Sequence, residues 1–257
     1  MARTRRRRRA ALALVASLSA LASACVADRS DEPRTPPTSS RRVTFPATDG
    51  VVLEGRLFGG ESGSDLGVVL SHELPEDQTI WWDFAESLAE DGYLVVTYNF
   101  RGYCPGGEGG CSEGEKSIAS IWQDTLGAIA YLRSEGAASI ALVGSSMGGT
   151  SSIVAAAQEK QGVQVVVTLS APATIEGLTA TPAMLQDVPA AKLFLAGSGD
   201  TSAAADAQTL FQQASLPKRV EVVPSDAHGT RLLTEGPSEL VRSYIESELD
   251  QYLQGAV

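Results

Sequence analysis

The sequence runs to 257 residues, 43% hydrophobic and 20% charged, which suits one soluble globular domain with a sizeable core rather than two. Its formal net charge is −11, and six of its cations, Arg3 and Arg5 to Arg9, crowd the amino terminus. Without them the chain carries about −17 and no basic stripe to neutralise phosphates, which excludes nucleic acid as a partner.

Met1 to Arg9 is a basic leader, and Ala10 to Ala24 is an apolar run too short and too small in side chain to read as a membrane span. Together they read as an export signal over 1–24. Leu21-Ala22-Ser23-Ala24-Cys25 resembles a lipobox, which would make Cys25 the lipid-modified N-terminus, while Ala22-Ser23-Ala24 also satisfies simple small-x-small cleavage. The lipoprotein reading is favoured because Cys25 directly follows the cleavage position, although Ala22 replaces the usual leucine. It puts the protein on the extracytoplasmic side, with the membrane reached only through that anchor; simple cleavage would make it secreted. The arginine run also admits a twin-arginine route. Residues 25–41, rich in Pro, Ser, Thr and charge, read as a tether, and 42–257 as the folded domain.

Within that domain, 42–47 and 51–58 are expected strands joined at Asp49-Gly50, a hairpin signal, so the sheet should begin antiparallel. A strand at 66–70, a helix at 78–91 and a strand at 93–100 follow. The next loop holds Cys104 and Cys111. In an exported chain a disulfide is the leading reading, because no further Cys and no nearby His complete a metal-ligand set. Leaving the carboxyl end of a strand, that loop is expected to wall part of a ligand pocket. Then come a helix at 117–134, a strand at 139–143, a helix at 147–160, a strand at 163–169 and a short connection over 170–190. A buried strand from Lys192 ends in a glycine turn carrying Asp200, and a helix at 201–214, a strand at 219–223 and a helix at 237–253 complete the chain. Trp81, Trp82 and Trp122 read as packing aromatics, with Trp82 the candidate for lining a pocket.

Gly144-Ser145-Ser146-Met147-Gly148, directly after an apolar strand and before a helix, has the G-x-S-x-G spacing of a nucleophile elbow. Small residues two before and two after Ser146 allow a sharp turn without a Cβ collision, and the unpaired N–H groups at the helix start suit a developing oxyanion. A serine hydroxyl needs a general base, and the chain has two histidines, His72 and His228. Only His228, in Ala227-His228-Gly229, lies downstream of the serine, as the order Ser, acid, His requires. Asp200 is the leading acid, with Asp206 and Asp226 as alternatives; it could equally be a helix cap.

With the elbow at Ser146, an acid after the penultimate strand at Asp200 and the Ala-His-Gly turn at His228, the chain from Arg41 to Leu253 resembles the α/β-hydrolase family. The resemblance implies an α/β fold: a mostly parallel eight-stranded sheet with helices on both faces. It also implies a Ser-His-Asp triad, with no metal and no organic cofactor. The oxyanion hole would use the N–H groups of Met147 and of Leu74, in the loop after the third strand. Glu73, where many members have glycine, is similar to the dienelactone hydrolase branch, in which a glutamate lies beside a nucleophile that is usually cysteine. Here it would orient the site, discourage anionic substrates, or be a solvated loop carboxylate. His72 is expected to brace the loop. The short connection over 170–190 leaves no room for a large cap, so an open site for small ester or acyl substrates is expected. A non-catalytic hydrolase-fold binding protein is the rival from another class; a lactone hydrolase or a serine peptidase is the rival among enzymes.

Overall fold

The apolar runs assemble, in a computed structural model that describes residues 34–60, 63–159 and 162–256, into a central sheet covered on both faces. The expected export signal and Cys25 lie outside the described residues. The amino-terminal half comprises β1 (Ser40–Pro46), β2 (Val52–Phe58), β3 (Leu66–Ser71), α1 (Trp82–Glu90), β4 (Leu94–Tyr98), α2 (Ile121–Ser134), β5 (Ser139–Ser145) and α3 (Met147–Gln158). The remainder comprises β6 (Val165–Leu169), β7 (Thr174–Ile175), β8 (Leu178–Thr179), α4 (Pro182–Asp187), β9 (Ala191–Gly197), α5 (Thr201–Gln213), β10 (Lys218–Val223) and α6 (Ser238–Tyr252).

Eight strands pair in the order β1-β2-β4-β3-β5-β6-β9-β10. The hairpin β1–β2 and the β2–β4 pair are antiparallel, and the pairs from β4 through β10 are parallel. Strict alternation splits the core in two. Val69, Leu142 and Val166 face one layer with Leu132 of α2, Ile153 of α3 and Leu210 of α5. Val68, Val143 and Val167 face the other, with Leu88 of α1 and Ile245 of α6. Such strands have no polar face because helices cover both sides, which is why they read as continuous apolar runs.

This winding gathers the loops that follow β3, β5, β6, β9 and β10 at one edge. Neighbouring β3 and β5 connect outward in opposite senses, leaving a crevice at their carboxyl ends.

The structure differs from the sequence reading in several places. Strand β1 starts at Ser40, so Ser40 and Arg41, read as tether, pair with Phe58 and Leu57. Arg34 also donates to the Thr79 carbonyl at 3.0 Å. The connection over 170–190 is structured: β7 and β8 form a small antiparallel ribbon, and Thr181 caps α4 by accepting from the Met184 N–H. Expected helices 78–91 and 117–134 each open with a 3-10 turn, at Gln78–Trp81 and Ile118–Ser120.

Cys104 and Cys111 are joined in a disulfide across the tip of the loop after β4. That tip packs on the sheet: Cys111 N–H donates to Glu54 Oε2 at 3.0 Å, and the Gly109 carbonyl accepts from Gln78 Nε2 at 2.9 Å and Asn99 Nδ2 at 2.7 Å. Arg101 anchors the foot of the loop, donating through Nε to Asp124 at 2.9 Å and through a terminal nitrogen to Asp49 at 2.7 Å.

Candidate active site

Strand β5 delivers Ser146 to the sheet edge in a backbone conformation that L residues rarely adopt, φ 48° and ψ −118°. Holding a serine there costs about 1–3 kcal/mol, so the surroundings must over-determine it. Ser146 N–H donates to the Leu169 carbonyl at 2.8 Å, and the Ser146 carbonyl accepts from Gly149 N–H at 2.9 Å. The elbow glycines leave no space for a side chain: a Cβ on Gly148 would sit 2.6 Å from the His72 carbonyl oxygen, and one on Gly144 would overlap the Gly148 carbonyl. Close approach of α3 to the end of β3 thus requires glycine.

Asp200 lies at the turn from β9 into α5 and performs two jobs. Oδ1 caps α5, accepting from Ala203 N–H at 3.5 Å, while Oδ2 lies 2.5 Å from His228 Nδ1. Helix cap and histidine partner are therefore compatible, one oxygen each. Asp226 instead packs its carboxylate over the Gly199 backbone. Facing an ionised carboxylate, Nδ1 of a neutral His228 carries the proton, which leaves Nε2 as an acceptor. His228 is the open member, with its side chain 44% exposed against 15% for Asp200.

No hydrogen bond joins Ser146 to His228 among the described residues; the adjoining residues bring their loops together. Gly229 has φ +60°, and a Cβ on it would overlap both Glu73 Oε2 and Ser145 Oγ. Its N–H donates to Ser170 Oγ at 3.1 Å. The residue after His228 thus lies directly on the residue before Ser146, which accounts for the glycine of the Ala-His-Gly turn.

Glu73 is not the solvated carboxylate that was one of its readings. It is 6% exposed. Oε2 accepts from Ser145 Oγ and from Thr230 N–H at 3.1 Å, and Oε1 accepts from Thr230 Oγ1 at 3.1 Å. Three donors compensate for the water lost on burial. Sequence reading missed Ser145, Ser170 and Thr230; the one local signal was a hydroxyl immediately after Ala-His-Gly.

Leu74 lies in the loop after β3, and Met147 is the first residue of α3, directly after Ser146. A first-turn N–H has no intrahelical acceptor, and among the described residues no backbone bond takes the Leu74 N–H. Tyr103, at the foot of the disulfide loop, places its hydroxyl 3.9 Å from Met147 Sδ and its ring 4.7 Å from that of His72. Tyr103 thus ties the foot of that loop to α3 and to the loop after β3. Trp82 does not line the pocket as expected: it is 1% exposed, packed in the core beneath the Arg56 guanidinium, 5.2 Å from its ring centroid. Its position in the first turn of α1 turns it toward the sheet.

His72 braces the loop after β3. Nε2 accepts from Phe100 N–H at 3.1 Å, and Nδ1 lies 3.0 Å from the Glu73 carbonyl. Burial pushes the imidazole down to about 4. An unfolded imidazole binds a proton below about pH 6.5, whereas the folded one resists until about pH 4, so stability falls as pH drops through that window. Urea unfolding at a series of pH values is expected to show the wild type losing about 3 kcal/mol more than His72→Gln between pH 6.5 and 4. Equal losses would mean that His72 is already charged in the folded state.

Among the described residues, no group of three or more His, Cys, Asp or Glu is placed to hold a metal ion. The model of the alpha/beta hydrolase fold family matches residues 68–213, more than half of the chain. No curated protein matches it in sequence. Among solved structures, the esterase Pf2001 of Pyrococcus furiosus superposes with TM-score 0.70 at 19% identity, over 86% of this chain and 99% of its own. A dienelactone hydrolase from Anabaena variabilis gives TM-score 0.67 at 20% identity, over 84% and 99% of the two chains. The enol-lactonase of Burkholderia xenovorans gives 0.65 at 19% identity, over 80% and 99%. With the family model spanning the stretch from β3 through α5, and the sheet order and elbow those described above, this chain belongs to the α/β-hydrolase fold family.

Proposed function

We infer that the protein is a serine hydrolase that cleaves carboxylic esters, lactones included, through an acyl-enzyme on Ser146. The observation that carries this reading is the 2.5 Å contact between Asp200 Oδ2 and His228 Nδ1, on a loop that packs against the strained elbow of Ser146. With Nδ1 protonated, His228 Nε2 takes the Ser146 hydroxyl proton as Oγ attacks the acyl carbonyl. Met147 and Leu74 N–H groups stabilise the oxyanion, the imidazolium returns its proton to the departing alkoxide, and water repeats the sequence to release the acid. Asp200 holds the ring and stabilises its charged form. Three of the similar structures are an esterase, a dienelactone hydrolase and an enol-lactonase, and their named activities all concern an acyl C–O bond, which supports the ester reading over the peptidase one.

The half-exposed His228 and the short connection after β6 favour small acyl groups over long lipid chains. On the same reading the enzyme works outside the cytoplasm, where an oxidising environment would preserve the Cys104–Cys111 bridge, and is tethered there if Cys25 is acylated. Fluorophosphonate labelling of the purified, oxidised protein tests the chemistry, and p-nitrophenyl acetate, butyrate and palmitate beside a lactone test the substrate. Stoichiometric labelling and acetate or butyrate turnover well above palmitate are expected. A folded protein that takes no label would sink the reading.

A further inference from the structure

We propose that Glu73 is a positioning residue for the general base: its carboxylate pins the His228 loop to the nucleophile elbow and sets the separation of His228 from Ser146. The kinetic half of this inference rests on the serine-hydrolase reading above; the spectroscopic half does not.

The elbow and the histidine loop are tied to each other through Glu73. Ser145, the residue before the nucleophile, donates its hydroxyl to Oε2. Two residues after His228, Thr230 donates its N–H to the same oxygen and its hydroxyl to Oε1, each at 3.1 Å. Between those two contacts, Gly229 threads over the carboxylate so closely that only a glycine fits. Ser170, itself held at φ 53°, takes the Gly229 N–H at 3.1 Å from the far side. Asp200 fixes which way the imidazole faces, but one contact to Nδ1 leaves its ring free to swing about that axis. The backbone at 229–230 must be fixed as well, and Glu73 with Ser170 supplies the described side-chain bonds that fix it.

The same geometry separates this role from that of a reacting group. Both carboxylate oxygens are occupied by donors from Ser145 and Thr230, and none of these bonds runs to Ser146. Glu73 acts through its neighbours, not on the substrate. Glutamine weakens this clamp: it replaces an acceptor of three donors by a neutral amide, and its NH2 group, set opposite Thr230 Oγ1, keeps that contact only if the hydroxyl turns round to accept.

The test compares wild type with Glu73→Gln on a p-nitrophenyl ester. Misplacing a reacting group by about 1 Å costs on the order of 100-fold, so kcat is expected to fall by that factor, with KM within about threefold and the shape of the pH–kcat profile retained. In parallel, NMR reads the imidazole N–H of His228, one of only two histidines in the chain. Its hydrogen-bonded Nδ1 proton signal is expected to broaden or vanish in Glu73→Gln while near-UV circular dichroism stays native. Wild-type kcat in a folded Glu73→Gln overturns the proposal, and so does a pH–kcat profile that loses a limb, which would make Glu73 a reacting group. If Glu73→Gln fails to fold, Thr230→Val and Ser145→Ala decide: each removes one donor, and kcat losses of about tenfold are expected, with unchanged kcat in both overturning the proposal. Should the wild type hydrolyse no ester, the hydrolase reading fails by itself, and an unaltered His228 signal in Glu73→Gln still overturns the positioning role.

Discussion

Ser146→Ala is expected to reduce ester turnover by about a million-fold in kcat, and His228→Ala by nearly as much, with the double variant no worse than either single one. In the proposed mechanism the two groups act as a unit: without Nε2 to accept its proton, the Ser146 hydroxyl is a weak nucleophile, and without the hydroxyl the imidazole has nothing to activate. Asp200→Asn should cost about 10⁴-fold, because an amide that donates toward Nδ1 favours the wrong tautomer of His228. Concentration of each variant by absorbance, circular dichroism to show that it is folded, and then kcat on p-nitrophenyl butyrate check this. Additive losses in the double variant would show that serine and histidine work on separate steps. Residual turnover within a hundredfold of wild type in Ser146→Ala would place the nucleophile elsewhere.

Gly148→Ala is expected to destabilise the fold by about 4 kcal/mol, a large part of the 5–15 kcal/mol that holds a typical domain together. The added methyl group would sit 2.6 Å from the His72 carbonyl oxygen and closer still to that of Ser71. These are backbone atoms at the end of β3, the central strand, so they give way only if α3 lifts off the sheet. Relief by a side-chain rotation is not available, which distinguishes this site from most core substitutions. Gly255→Ala is the control, because a Cβ there meets nothing within 4 Å. Urea unfolding should separate the two variants clearly. A Gly148→Ala protein with wild-type stability would mean that the helix is not seated against the strand end as described.

Much of this architecture is legible in the sequence because it is encoded over a few consecutive residues. Apolar runs such as Ile140 to Val143 and Val165 to Val167 announce strands buried on both faces, and Asp49-Gly50 announces the hairpin. The spacing of Gly144, Ser146 and Gly148 states a steric requirement that the structure meets with contacts too close for any Cβ. With only two histidines in the chain, pairing Asp200 with His228 required little more than their order.

Tertiary structure alone decided what joins those pieces. Glu73 meets a residue 72 positions away at Ser145 and one 157 away at Thr230, and no local pattern in a loop reports such a meeting. Trp82 illustrates the same limit from the other direction: nearness in sequence to the loop after β3 suggests a pocket, but the helical rotation of α1 sends the ring into the core. Propensity and periodicity act within one turn or one strand, whereas bonds between loops depend on which strand ends converge. That convergence is set by the order β4-β3-β5-β6-β9-β10, a property of how the whole core packs.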